Sequence, residues 1–241
     1  MKRPLGSRGY AALSVLLALV ASTVLAGHPC PPKPPTVPSG PVILKNGVLK
    51  ITPIVDALTK ITVQKAAKQV VVLYNSATYT FDACKVRRVE VDASDTTADA
   101  EAKVSMETGV FLKYTGGAGA GSIVLANGDA DIFGGAGDLS ATLGDGKVFV
   151  ECGEGTSYVT AGTGLLLLIG DDVGTLFFGQ ETAGYSLIET GSGDSFITAT
   201  AGEGAVFVTD PLPAFLDVTG DYCVVYDELP CWVEWLFWIC W

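Results

Sequence analysis

Nucleophilic and metal chemistry draw on imidazole more than on any other side chain, and this 241-residue sequence holds a single histidine, His28. The body of the chain therefore has no Ser-His-Asp or Cys-His constellation and no His-ligated metal site. Adjacent acids at Asp171-Asp172 and Asp227-Glu228 come nearest to a glycosidase carboxylate pair, which needs about 5–10 Å between its acid groups. Neighbours along a strand point to opposite faces, and no Lys or Arg follows Lys147. A carbohydrate-active β-helix enzyme is thus the third reading, and no catalytic residue is assigned. Six cysteines, Cys30, Cys84, Cys152, Cys223, Cys231 and Cys240, show no C-x-x-C spacing, so redox and zinc motifs are absent. They are disulfide candidates instead, with 15 pairings open to six cysteines. Three of them crowd the last 19 residues, where at least one bridge is expected to close.

Disulfides imply an oxidising compartment, and the first 26 residues supply the route. Lys2, Arg3 and Arg8 precede the apolar run 11–19, and Val24-Leu25-Ala26 stands before Gly27. That order of charge, apolar run and small residues reads as a signal peptide and predicts a secreted or cell-envelope protein. The alternative, an uncleaved anchor, has only about 16 apolar-leaning residues where a span takes ~20. Residues 27–41 hold seven prolines and read as a stiff polyproline II spacer.

Charge narrows the partners. The whole chain carries a net charge of −11, and removal of Lys2, Arg3 and Arg8 leaves 12 basic against 26 acidic residues. Residues 27–147 are balanced, whereas the 94 residues after Lys147 contain 14 acids and no base. Such a surface argues against nucleic acid and favours a cation or a basic protein partner.

The elements that must position any site are strands. In residues 42–110, Val42–Lys45 and Val48–Ile51 flank Asn46-Gly47, a hairpin signal because both turn residues accept φ > 0. Residues 61–63, 70–74, 78–81 and 86–91 are β-branched and alternate in polarity, which predicts further strands with a turn at Asn75-Ser76. The stretch 92–107, rich in Ala, Asp and Thr, reads as a loop.

Residues 111–210 are glycine-rich and periodic. Gly-x-Gly recurs at 117, 135, 144, 153 and 162, with Ala126-x-Gly128 in the one gap, on a nine-residue period. Six residues after each first glycine position stand Ile123, Ile132, Ala141, Val150, Val159 and Leu168. The frame then slips and returns at Gly191 with Ile197 and at Gly202 with Val208. Glycines at alternate positions suggest turns with left-handed backbone angles. One apolar side chain per unit buries nothing alone, so the units must stack. The expected fold class is all-β: a parallel β-solenoid (β-roll or β-helix) with an N-terminal strand-rich region and a C-terminal cap.

Gly134-Gly135-Ala136-Gly137-Asp138 resembles the start of the hemolysin-type calcium-binding repeat, G-G-x-G-x-D-x-U-x, and residues 42–208 are similar to exported bacterial proteins of that kind. The resemblance implies two nonapeptides per coil and calcium in the turns. At the family's ligand position, however, stand Gly121, Ala130, Leu139, Val148, Ser157 and Leu166, none of them acidic. The metal candidates are therefore Asp129, Asp131, Asp138 and Asp145, with turn carbonyls completing the 6–8 oxygens calcium takes. In an 18-residue coil Asp138 falls beside Ala120 and Thr156, and Asp129 beside Lys147, so solvated acidic turns compete with a calcium site.

Residues 211–241 form a Cys/Trp-rich tail with Trp232, Trp235, Trp238 and Trp241 spaced by three. The segment reads as a solenoid cap, or as a patch for hydrophobic docking on a membrane or partner. The expectation is an exported, non-enzymatic β-solenoid protein with a structural, adhesive or interaction role. The alternative is a calcium-dependent repeat protein, with calcium as the one cofactor to consider.

Overall fold

Tight turns start the fold. In the computed structural model, which describes residues 40–208 and 213–225, Asn46 and Gly47 both take positive φ (54° and 84°) and reverse β1 (Val42–Lys45) into β2 (Val48–Ile51). A second reversal set follows: β3 (Leu58–Ala66), β4 (Gln69–Tyr74) and β5 (Ala77–Asp82) form an antiparallel meander turning at Ala67 and Asn75. A 3-10 turn, Ala83–Lys85, then leads into β6 (Arg88–Asp92).

From here every pairing is parallel. The strands are β7 (Glu101–Glu107), β8 (Phe111–Thr115), β9 (Ala120–Leu125), β10 (Ala130–Phe133), β11 (Leu139–Leu143), β12 (Lys147–Glu151) and β13 (Thr156–Ala161). They continue as β14 (Leu165–Ile169), β15 (Thr175–Gln180), β16 (Tyr185–Glu189), β17 (Ser195–Ala199), β18 (Glu203–Phe207), β19 (Phe215–Val218) and β20 (Asp221–Val225). Successive strands enter two different sheets in alternation. One ten-stranded sheet runs β1-β2-β6-β8-β10-β12-β14-β16-β18-β20, the other β19-β17-β15-β13-β11-β9-β7-β3-β4-β5. The chain is a parallel β-solenoid, each coil giving one strand to each sheet.

Register converts the nine-residue period into the core. Ala130 lies beside Leu112 and Val148, and Leu139 beside Gly121 and Ser157, so a coil takes 18 residues here. Ile123, Ala141 and Val159 form one inward row, and Ile132, Val150 and Leu168 another; all six are at most 1% exposed. The slip in the sequence frame is a lengthening of coils. Thr156 pairs with Thr175 and Leu165 with Tyr185, and the rows still continue as Phe178, Ile197, Ile188 and Val206.

Two expectations change. Residues 101–107 are not loop but strand β7, which places Ala102, Val104 and Met106 in the core while Glu101, Lys103 and Glu107 face water. The interspersed charges hid the alternation. The glycines meet the expected left-handed turns only in part: Gly128, Gly191, Gly202 and Gly204 take positive φ, and most of the others do not. Within 117–164 only Gly128 has positive φ. The turn glycines stand in columns where coils touch: a Cβ on Gly135 would strike the carbonyl oxygen of Gly117, and one on Gly153 that of Gly135. Close approach of successive backbones, not dihedral freedom, excludes a side chain there.

Candidate functional site

Because strand side chains alternate, each sheet presents rows outward as regular as those within. On the sheet of β7 to β19 the central outward row reads Lys103, Ser122, Ser140, Tyr158, Phe177, Phe196 and Phe215. The neighbouring row reads Ser105, Val124, Thr142, Thr160, Gly179, Thr198 and Asp217. Over β9–β17 neither row holds a charged side chain, although the protein as a whole is strongly acidic.

The rings of the central row stack. Tyr158 and Phe177 have centroids 4.8 Å apart and Phe177 and Phe196 4.6 Å, each pair at an interplanar angle of 8°. That spacing is the distance between paired strands, so in-register rings meet face to face as a cross-strand ladder. Tyr158 and Phe215 are 51% and 50% exposed, whereas Phe177, stacked on both faces, and Phe196 are half-buried. Sequence reading missed this row. Its signal was present: Tyr158, Phe177, Phe196 and Phe215 recur at intervals of 19 in the lengthened coils, and Ser122 and Ser140 precede at intervals of 18.

The calcium candidates are dispersed. Asp129 Oδ1 accepts the Lys147 N–H at 2.8 Å and Asp138 Oδ1 accepts the Thr156 N–H at 2.9 Å, in the 18-residue stacking expected of them. Each thus caps the start of a strand in the next coil. Asp145 is exposed in the corner before β12. Asp131 faces outward from β10, in the other sheet, between Lys113 and Phe149. It is 8% exposed and its Oδ1 has no hydrogen-bond partner. Burial raises its pKa above the ordinary carboxylate value, with Lys113 opposing. Lys113 Nζ itself lies 5.4 Å from the Phe133 ring centroid. Among the described residues no three His, Cys, Asp or Glu side chains converge as a metal group.

The acid pairs are divided as well. Asp171 Oδ1 accepts the Val173 and Gly174 N–H groups of its own turn, and Asp172 Oδ1 accepts the N–H and hydroxyl of Ser192. Both carboxylates therefore hold backbone in place. Asp227, Glu228 and the four tryptophans lie outside the described residues, as do residues 1–39.

Of the disulfide candidates, Cys84 is disulfide-bonded, whereas Cys152 and Cys223 are free thiols, contrary to their reading as disulfide cysteines. Geometry separates those two. Cys152 belongs to the core beyond β12, and Cys223 is exposed on the outer row of β20, four ladder steps or about 19 Å along the sheet. A disulfide needs Cα atoms within about 7 Å. Burial pushes the Cys152 thiol up to about 11 despite a hydrogen bond with Ser157. Cys30, Cys231 and Cys240 lie outside the described residues.

In comparisons with known proteins, no family model, curated protein or solved structure matches this chain.

Proposed function

We propose that this is an exported, non-enzymatic β-solenoid protein with a structural, adhesive or interaction role at or outside the cell surface. The observation that carries the reading is the outer face of β9–β17. A stacked aromatic ladder beside rows of Ser and Thr, with no charge among them, is mounted on a doubly laddered and rigid support. Exposed, regular apolar surface of this kind marks contact with something outside the chain. Of the acid pairs, Asp171 and Asp172 are engaged with backbone N–H groups.

Export rests on the leader-like residues 1–26 and on the disulfide-bonded Cys84. The full chain expressed in a bacterial host tests it: the expected species is found outside the cytoplasm and begins near Gly27. An intact chain retained in the cytoplasm, or sustained turnover of any polysaccharide, would overturn this reading. Calcium-dependent folding is what the hemolysin-type resemblance carries. A rise in melting temperature with calcium over chelator would favour it, and no heat and no shift in a titration would remove it.

A further inference from the structure

We propose that the step in the central outward row at Tyr158 is a binding site for an uncharged polysaccharide. The proposal rests on the interaction-module reading and names its partner class. Tyr158 stacks on Phe177 on one side only. On the other side the row continues as Ser140 and Ser122, whose side chains are too short to cover a ring. The second face of the ring therefore stands as a wall over a floor two rungs, about 10 Å, wide. The 51% exposure of Tyr158, against half-burial of the sandwiched Phe177, fits that geometry.

The floor supplies hydroxyls from Ser122 and Ser140, with Val124, 47% exposed, and Thr142 alongside. At its far end stands Lys103, ion-paired to Glu101 at 3.0 Å. A sugar ring has apolar C–H faces and a hydroxyl rim. Its face suits an open aromatic ring, and its rim suits Ser and Thr hydroxyls that both donate and accept.

Charge selects among saccharides. The floor itself carries no cation, Lys103 at its end is paired to Glu101, and the net charge of −11 repels anionic chains. Area argues against a second copy of the protein. The two uncharged rows over five strands present about 300 Å² of flat face, well short of the ~800 Å² per partner of a stable complex.

Affinity electrophoresis of the full chain in gels containing laminarin, xyloglucan, galactomannan or alginate tests the site. At least one neutral polysaccharide is expected to retard the protein, and alginate not. Tyr158→Ser removes the wall and should weaken retardation about tenfold, while Tyr158→Phe keeps it. Ser140→Tyr covers the open face of Tyr158 and shortens the floor from two rungs to one, so it should weaken retardation at least as much as Tyr158→Ser without loss of thermal stability. It guards against the first variant failing for reasons of folding. Retardation by no neutral polysaccharide, equal retardation of wild type and Tyr158→Ser, or preference for alginate would each overturn the proposal. So would a concentration-dependent dimer lost in Tyr158→Ser, which would assign the face to self-association. Export and absence of turnover are measured separately, so failure here leaves the broader reading standing or falling on its own test.

Discussion

Within the C-terminal coils the apolar core gives way to a buried polar node, and its removal is a quantitative test of how the solenoid holds together. Gln180 ends β15 at 0% exposure. Its Oε1 accepts hydrogen bonds from Ser186 Oγ at 2.6 Å and Tyr222 Oη at 2.5 Å, and its Nε2 donates to the Thr182 carbonyl at 3.2 Å. Three strands from two sheets, β15, β16 and β20, are tied through one amide. Gln180→Leu keeps the volume and removes the acceptor. The Ser186 and Tyr222 hydroxyls lie within hydrogen-bond reach of each other, so one finds a partner and one buried proton is left without an acceptor. An orphaned buried donor costs about 1–3 kcal/mol. The Thr182 carbonyl belongs to an exposed residue and turns to water at little cost.

Coils of a solenoid interact chiefly with their neighbours, so the loss should be local. Native-state hydrogen exchange reads it directly. Amides of β15–β20 are expected to exchange about five- to 150-fold faster, the factor that 1–3 kcal/mol implies, while β7–β11 stay unchanged. The triple variant Gln180→Leu, Ser186→Ala, Tyr222→Phe has no orphan left and should recover most of the protection. A triple variant less protected than the single one, or acceleration spread evenly over both halves, would refute the argument.

Glycine columns predict a sharp contrast: Gly146→Ala drives a Cβ into the Gly128 carbonyl and should cost on the order of 4 kcal/mol, whereas Gly179→Ala meets nothing within 4 Å and should gain about 0.4–1 kcal/mol; thermal melts of both variants decide it. Asp131 provides a pH signature. Its folded pKa is raised above the unfolded value, so the folded chain binds the extra proton and stability falls as pH rises from the unfolded pKa through the folded one. Asp131→Asn should therefore melt higher than wild type at neutral pH, and the difference should vanish below about pH 4. Thiol labelling with a disulfide reagent at pH 8 should modify exposed Cys223 in the native protein and spare buried Cys152 until denaturant is added.

What the sequence discloses and what it conceals divide along physical lines. The inward rows were legible because burial allows only apolar residues at Ile123, Ile132, Ala141, Val150, Val159 and Leu168, and a constant offset survives in plain text. The hairpin at Asn46-Gly47 was legible because positive φ selects few residue types. Strand β7 was concealed because Glu101, Lys103 and Glu107 dilute the apolar signal, and the outward positions of a strand are free to be charged. The glycine columns were visible but their cause was not. Contact between backbones 18 residues apart is a property of the stacked coil and cannot be seen in one unit. The aromatic row was missed for a related reason: its members share a face only once the coil length has grown from 18 to 19. Gln180 and Ser186 carry no pattern at all, since their burial depends on meeting each other.

Coil geometry also accounts for part of the protein's acidity. A parallel solenoid turns the chain at every strand start, and each turn leaves backbone N–H groups beyond reach of the ladder. A carboxylate oxygen is a strong acceptor for such a group. Asp129 serves the Lys147 N–H, Asp138 the Thr156 N–H, Asp171 those of Val173 and Gly174, and Asp172 that of Ser192. Acidic residues thus gather at the corners, capping either their own turn, as Asp171 does, or the next coil, as Asp129, Asp138 and Asp172 do. The negative charge that first suggested a cation or basic partner is in these instances a residue of how backbone donors are satisfied. Recognition is then best sought where the corners do not reach, on the flat uncharged rows from Ser122 to Thr198, and the site argued at Tyr158 lies there.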